Sequence, residues 1–386
     1  VHIKKSNYYI TFNYKTKNAF LLNKKNMTDK ELVYEIGENN VTCGFKRFSV
    51  SAGWMHVMPQ GKANPFNINT AVANGTRAEV GTISPEGFLK AIDPNAIYNE
   101  GSNSANLKDT LTDLVNGPLG GLIKDKDGNI KSEIAGIATI NGLDSWSADG
   151  TGLEAEDVDT LGLTFNYHIN DNVSLQVIGG IPPKVDIKGK GMITAPLSGL
   201  AEPGGLGGFL FPDGLPLDYA VPITDLSSYG KAASARAWTP VFQAQYQFGK
   251  SGVNKFRPYV GAGIMYAYFN DIELNKGIES DLIAAGHMIQ NIKDDKAGAA
   301  LDGKESSGNM VVDVDADDAI APIVTLGFTY DFTPSWFTVA SVSYAKLNNK
   351  TTINVVNETS GEQLIHASTK IDIDPIITYL GVGYRF

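Results

Sequence analysis

The side chains in this 386-residue sequence that could do chemistry are few: five histidines, one cysteine, a short acidic run and a glycine-rich run. Nucleophilic or acid–base catalysis needs a histidine converging with a carboxylate and a nucleophile. His2 stands in an atypical leader, His287 and His366 fall in long connections, and alternation points His56 outward. His168 is left facing inward, at a turn, among Gln247 and Asp331. No catalytic set and no enzyme are expected from that arrangement. Asp313, Asp315, Asp317 and Asp318 are spaced like cation ligands, but a calcium loop wants glycine at its sixth position and a carboxylate at its twelfth. A solvated acidic rim, or one bridged by divalent ions, are the readings open to it. The stretch PGGLGGFLFPDGLP lacks the strand-to-helix setting and the Lys-Ser/Thr of a phosphate cradle, and reads as a flexible loop. Cys43 has no partner cysteine, so it forms no internal disulfide and reads as an incidental small residue. No metal site and no cofactor are expected.

The elements that must position these residues are strands. Ile376, Thr378, Leu380, Val382, Tyr384 and Phe386 form one nearly apolar face, while Tyr379, Gly381, Gly383 and Arg385 form the other. Seven further segments repeat this two-residue period, with outward sets such as Phe48/Val50/Ala52/Trp54, Leu161/Leu163/Phe165/Tyr167 and Val324/Leu326/Phe328/Tyr330/Phe332. Strands of about ten residues fit a tilted passage through a bilayer. Short turns near Asn170–Asn172, Lys250–Asn254 and Thr333–Ser335 alternate with long connections at about 60–158, 188–237, 271–319 and 348–370. The expected fold is therefore all-β: an eight-stranded antiparallel transmembrane β-barrel over 45–386, with long extracellular loops. Aromatic residues near both sets of strand ends fit interfacial girdles.

Residues 1–44 lack this period and also lack the apolar core of a secretory signal, so they are expected to stand outside the barrel and not to serve as the export signal. A formal charge of -10 without a Lys/Arg cluster argues against nucleic acid as a partner. The longest apolar runs are too short for a membrane helix. Within the third connection, SDLIAAGHMIQNIKD repeats its apolar residues at helical spacing and predicts a short helix.

Three stretches carry a family resemblance: DTLGLTFNYHINDNVSLQVIGGIPPKVDIKGKG, NKFRPYVGAGIMYAYFND and IDPIITYLGVGYRF. Together they resemble the outer membrane protein W family. The resemblance implies a narrow barrel in the outer membrane of a Gram-negative bacterium, without a cofactor, that passes small and mainly hydrophobic molecules with sideways exit into the bilayer. It also implies that Phe386 is read by the barrel-insertion machinery. The enlarged first three connections depart from the family pattern.

An eight-stranded barrel holds side chains or one small ligand, not a wide pore. Inward residues near the outer end are oily: Met55, Val57, Ile178, Val241, Met265, Phe269, Ile323 and Ile377. These form the expected solute-binding cup. Near the periplasmic end His168, Gln176, Gln245, Gln247, Asp331 and Arg385 form an expected polar floor. Pro59, Pro182 and Pro183, with Pro240, Pro322 and Pro375, lie at outer strand ends and cannot donate to the ladder, which marks a candidate lateral opening. Two functions follow: a channel for small apolar solutes, or a structural or surface-receptor barrel acting through its long loops. The expected partners are outer membrane lipid, lipopolysaccharide, small apolar solutes and the insertion machinery. A closed barrel leaves no strand edge unpaired, so a monomer is expected.

Overall fold

The computed structural model describes residues 2–5, 8–13, 18–23, 46–100 and 103–386. The chain divides into two compact units, Val1–Lys46 and Arg47–Phe386. In the first, strands His2–Lys5, Tyr8–Asn13 and Asn18–Asn23 pair into a three-stranded antiparallel sheet. Cys43 lies outside the described residues.

The second unit contains the barrel. Its strands are β1 (Phe48–Met58), β2 (Val158–His168), β3 (Val173–Gly180) and β4 (Val241–Gln247). They continue with β5 (Phe256–Leu274), β6 (Ala319–Asp331), β7 (Trp336–Ala345) and β8 (Ile376–Arg385). Each pairs antiparallel with its sequence neighbours, and β8 returns to β1 through Leu380 opposite Trp54. Closure leaves no edge in hydrocarbon, the condition for a strand protein to span a membrane. Outward side chains remain exposed although large and apolar: Trp54 is 52% exposed and Leu326 66%, whereas inward Ser49 is 1% and Thr325 2%. That inversion of the soluble pattern is the lipid-facing band. At the short-turn end Phe48 lies 5.4 Å from Tyr167 and 6.2 Å from Phe386, and Trp336 5.1 Å from Tyr384, which builds one aromatic girdle.

The long connections are not irregular loops. They fold into a cap of two sheets. One runs in the order Ser145–Ala148, Phe66–Thr70, Glu362–Asp372, Asn348–Asn357 and Met310–Ala316. The other runs Leu215–Asp225, Met192–Glu202, Ile137–Asn141 and Thr76–Glu79. The expected helix is present as Lys276–Lys293, capped by the Asn275 side chain accepting from the Gly277 N–H. Its buried residues Ile278, Leu282, Ala285, Met288, Ile289 and Ile292 recur at helical spacing and pack against both sheets. The cap core takes Phe66 and Val80 from the first connection, Ile193 and Leu197 from the second, Ile289 from the third and Val355 from the fourth.

One smaller expectation changes, and two further features join it. The glycine-rich run forms a short helix, Gly205–Leu210. The acidic run does not pass straight into β6: Asp313 and Asp315 belong to Met310–Ala316, which pairs with Asn348–Asn357. The barrel wall also continues above the bilayer, where Lys184–Lys190 pairs with both Gly152–Ala155 and Ala233–Trp238, and the latter pairs with the outer part of β5.

Candidate functional site

Strand parity places every residue of the expected cup in one apolar cluster. Val241, Met265, Ile323 and Ile377 are its buried members, and Met55, Val57, Ile178 and Phe269 pack against them. All eight also line one cavity of about 350 Å³.

The floor is a hydrogen-bonded layer. Gln176 Oε1 accepts from Gln243 Nε2 at 2.5 Å and Gln245 Nε2 at 2.6 Å, and Gln247 Nε2 donates to Thr329 Oγ1 at 2.7 Å. Arg385 Nη1 donates to Asp331 Oδ1 at 2.7 Å and its guanidinium lies 4.3 Å from the Phe337 ring centre. Both ends of that ion pair are buried, which demands such pairing. His168 belongs to this layer through Ser49 Oγ, 3.1 Å from Nε2, rather than through Asp331 or Gln247. The ring sits closest to the hydroxyl because Ser49 and Asn166 face each other across β1 and β2, two residues from the turn.

Several contributors were missed from sequence. Arg257, 2% exposed, donates through Nη2 to the Asp171 carbonyl and through Nε to the Phe248 carbonyl at 3.3 Å, tying two periplasmic turns together. Gln243 bridges Gln176 and Thr325. Between cup and floor, Gly162, Gly53 and Gly381 stand side by side across β2, β1 and β8. A Cβ at Gly162 would lie 2.7 Å from Met55 Cε and 2.9 Å from the Tyr379 ring, so the glycine row makes the bay that those side chains occupy. Tyr379 is fixed there by Ser51 Oγ at 2.8 Å. The inward parity of Arg257 and Tyr379 was readable; the cross-strand alignment of three glycines needed register, which a single sequence does not supply.

The cavity meets the wall at the prolines. Pairing of β2 with β3 stops at Gly162 opposite Gly180 and resumes only at Ala155 opposite Ile187. On the other flank, pairing of β3 with β4 stops at Ile178 opposite Val241 and resumes at Lys184 opposite Arg236. Pro182, Pro183 and Pro240 occupy these gaps without an N–H to donate, and all three, with Pro59, line the cavity. Isolated bonds cross the gaps: Thr160 Oγ1 to the Ile181 carbonyl at 2.5 Å, and Ala237 N–H to the Pro183 carbonyl at 3.0 Å. Beside the gap Asp159 accepts from Trp54 Nε1 at 2.8 Å and lies 2.8 Å from His56 Nδ1, on the outer face. Above it, the Glu156 carboxylate at 2.5 Å holds the Lys188 ammonium above its usual range. Pro322 and Pro375 pack at other strand ends, where Pro322 and Pro375 carbonyls accept from Lys346 and Ala345.

Above the barrel the same cavity continues into the cap, where Phe66, Leu226, Ile278 and Ile353 line it. Among the described residues no cluster of three His, Cys, Asp or Glu side chains could hold a metal ion.

A closed antiparallel barrel of eight strands with an apolar outer band, aromatic girdle and polar interior is an outer membrane β-barrel of a Gram-negative bacterium. Residues 299–386 match the OmpW family. Outer membrane protein W of Vibrio cholerae is 23% identical over 257 residues, covering 67% of this chain and 87% of its own. By these matches the chain is similar to proteins of the OmpW family. Among solved structures, OprG from Pseudomonas aeruginosa is 16% identical with a TM-score of 0.45 over 88% of this chain and 96% of that one. OmpW from E. coli is 16% identical with a TM-score of 0.31, over 88% and 98%.

Proposed function

We propose that this barrel carries out passive uptake of small, mainly hydrophobic molecules, which occupy the cup and leave sideways between β2, β3 and β4. The observation that supports it is the shape of one cavity: it is lined by all eight cup residues, ends on the polar floor and reaches the wall where proline thins the ladder. A floor of satisfied hydrogen bonds opposes passage of an apolar solute, because entering it strands buried polar groups. The wall gap offers hydrocarbon instead. In liposomes carrying the full chain, Met55→Asp with Met265→Asp is expected to reduce naphthalene uptake to the rate of empty liposomes. Unchanged uptake by a correctly folded double variant would remove the cup from the reading.

A second reading, recognition at the cell surface, is favoured by the folded cap: loops built on their own apolar core present a fixed surface. It predicts adhesion or phage binding that survives the double variant. On either reading the barrel works as a monomer in lipid and lipopolysaccharide, and Phe386 is the residue seen by the insertion machinery.

A further inference from the structure

The cavity reaches a second break in the wall. The ladder between β5 and β6 ends at Ala267 opposite Ala319, although β5 runs on to Leu274. Above that level β5 keeps Ala233–Trp238 as its one ladder partner, and Met310–Ala316, which leads into β6, is the edge strand of its own sheet. Asp271, at a φ of 49°, and the register shift between Ser234 and Arg236 mark a bulge that bends this part of β5. On the other edge the Asn309 carbonyl accepts from the Glu358 N–H at 2.8 Å, and the Asp317 N–H donates to the Lys350 carbonyl at 2.9 Å. Odd-numbered residues therefore face the Asn348–Asn357 strand, and the backbone groups of Met310, Val312, Val314 and Ala316 point the other way, toward β5. Among the described residues no ladder joins the two edges.

Burial changes at the same level. Below the end of the ladder the inward side chains of both strands are sealed, with Met265 and Ala321 at 1% and 0% exposure. Above it Phe269, Ile272 and Leu274 on one edge, and Val314 and Ala316 on the other, are only partly buried, and all five line the cavity. The chamber thus opens between these edges, whereas Phe66, Leu226 and Ile278 of the cap core wall it from above. Unpaired backbone is not tolerated in hydrocarbon, so this seam faces water, in contrast to the proline gap between β2, β3 and β4. Charge lies along it accordingly. On β5 the Asp271 and Glu273 carboxylates are paired with Arg236 and Lys184. Across the seam Asp313 and Asp315 alternate outward and, among the described residues, form no ion pair.

We propose that solute enters the covered chamber from the side, through the seam between the outer part of β5 and Met310–Ala316, and that Asp313 and Asp315 make this mouth reject anions. The route rests on the uptake reading and adds to it a place of entry separate from the place of exit. Uncompensated carboxylates beside a narrow slit lower the local concentration of anions. Phosphate-bearing headgroups and carboxylates are thereby kept from a passage whose inner edges are apolar.

The test uses the full chain carrying Cys43→Ser, with single thiols placed around the seam. Asp315→Cys, on the outward face of the rim, is coupled in micelles to a bulky maltose-bearing methanethiosulfonate and reconstituted into liposomes. Naphthalene uptake is expected to fall severalfold and to recover when dithiothreitol removes the tag. The same tag on Lys370→Cys, on the same outward face but two strands away, is expected to leave uptake unchanged. At Val314→Cys, a trimethylammonium methanethiosulfonate is expected to react severalfold faster than a sulfonate one, each rate divided by that with a free thiol. Asp313→Asn with Asp315→Asn is expected to bring the two rates together. Full tagging of Asp315→Cys without loss of uptake, equal loss from the tag on Lys370→Cys, or a Val314→Cys thiol that neither reagent reaches overturns entry by the seam. Each leaves uptake itself standing. Equal normalised rates of the two reagents overturn the rejection of anions. Uptake by the untagged protein no faster than that of empty liposomes removes the uptake reading. Because removal of the tag restores the same molecule, a folding defect is not mistaken for a blocked mouth.

Discussion

The buried Asp331–Arg385 pair permits a sharp measurement. Its side chains are 10% and 5% exposed, and the Nη1–Oδ1 distance is 2.7 Å. Asp331→Asn removes the carboxylate charge but keeps the shape, leaving the Arg385 guanidinium in the lumen with the neighbouring Arg257 cation. Removing one partner of a buried pair typically costs ~3–5 kcal/mol. The stacking of Arg385 over Phe337 persists in the variant and offsets part of this, so a loss of about 3 kcal/mol is expected. Asp331→Asn with Arg385→Gln removes both charges and is expected to recover at least half of the loss, since a neutral amide pair can share the hydrogen bond. Urea unfolding in lipid micelles, followed by tryptophan fluorescence and by the gel shift between folded and heated barrel, yields the double-mutant cycle. A single variant within ~1 kcal/mol of wild type, or a double variant as unstable as the sum of the singles, would refute the view that pairing of charge organises the floor.

Other consequences are simpler to state. Gly286 faces the fourth connection so closely that a Cβ would lie 2.7 Å from Val355 Cγ1; Gly286→Leu is expected to destabilise the cap by ~1–3 kcal/mol, seen as faster protease cleavage above an intact heat-shifted barrel. Tyr379→Phe removes the bond to Ser51 and is expected to lower barrel stability by ~1 kcal/mol in the same urea titration. Pro182→Ala with Pro183→Ala restores two N–H donors beside the wall gap; if solute leaves there, naphthalene uptake falls severalfold, and unchanged uptake rejects that exit. Arg77 at 2.5 Å holds the Glu202 carboxyl below its usual range. The stabilisation from that pair is present above the ordinary carboxylate pKa and is lost as pH falls through the depressed one; Arg77→Gln should return Glu202 to its ordinary titration, measured by carbon-13 NMR.

How much of this was legible depended on whether a property follows from parity. The barrel was readable because lipid on one side and a polar or packed lumen on the other impose a two-residue period on every strand; that period turned Met55, Met265, Ile323, Gln245 and Arg385 inward, and strand direction, read from the alternation of short and long connections, put the first three at the outer end and the last two at the periplasmic end. The helix Lys276–Lys293 was readable for the same reason at a different period. The cap was not, because its strands are short and its core is assembled from segments far apart in sequence: Phe66 packs in the same core as Ile193, Ile289 and Val355. A five-residue strand such as Phe66–Thr70 gives too few repeats to distinguish from a loop. The partner of His168 was misjudged: its ring bonds Ser49 on the adjacent β1, a diagonal contact two positions along the ladder, since Ser49 itself pairs with Asn166.

The composition of the cap core also dictates an order of events during biogenesis. Since each of the four connections supplies part of that core, no one or two of them bury their apolar residues on their own. The strand ends that bring them together take up their places only as the wall closes. Maturation of the external portion is thus a late and collective step that follows closure of the wall.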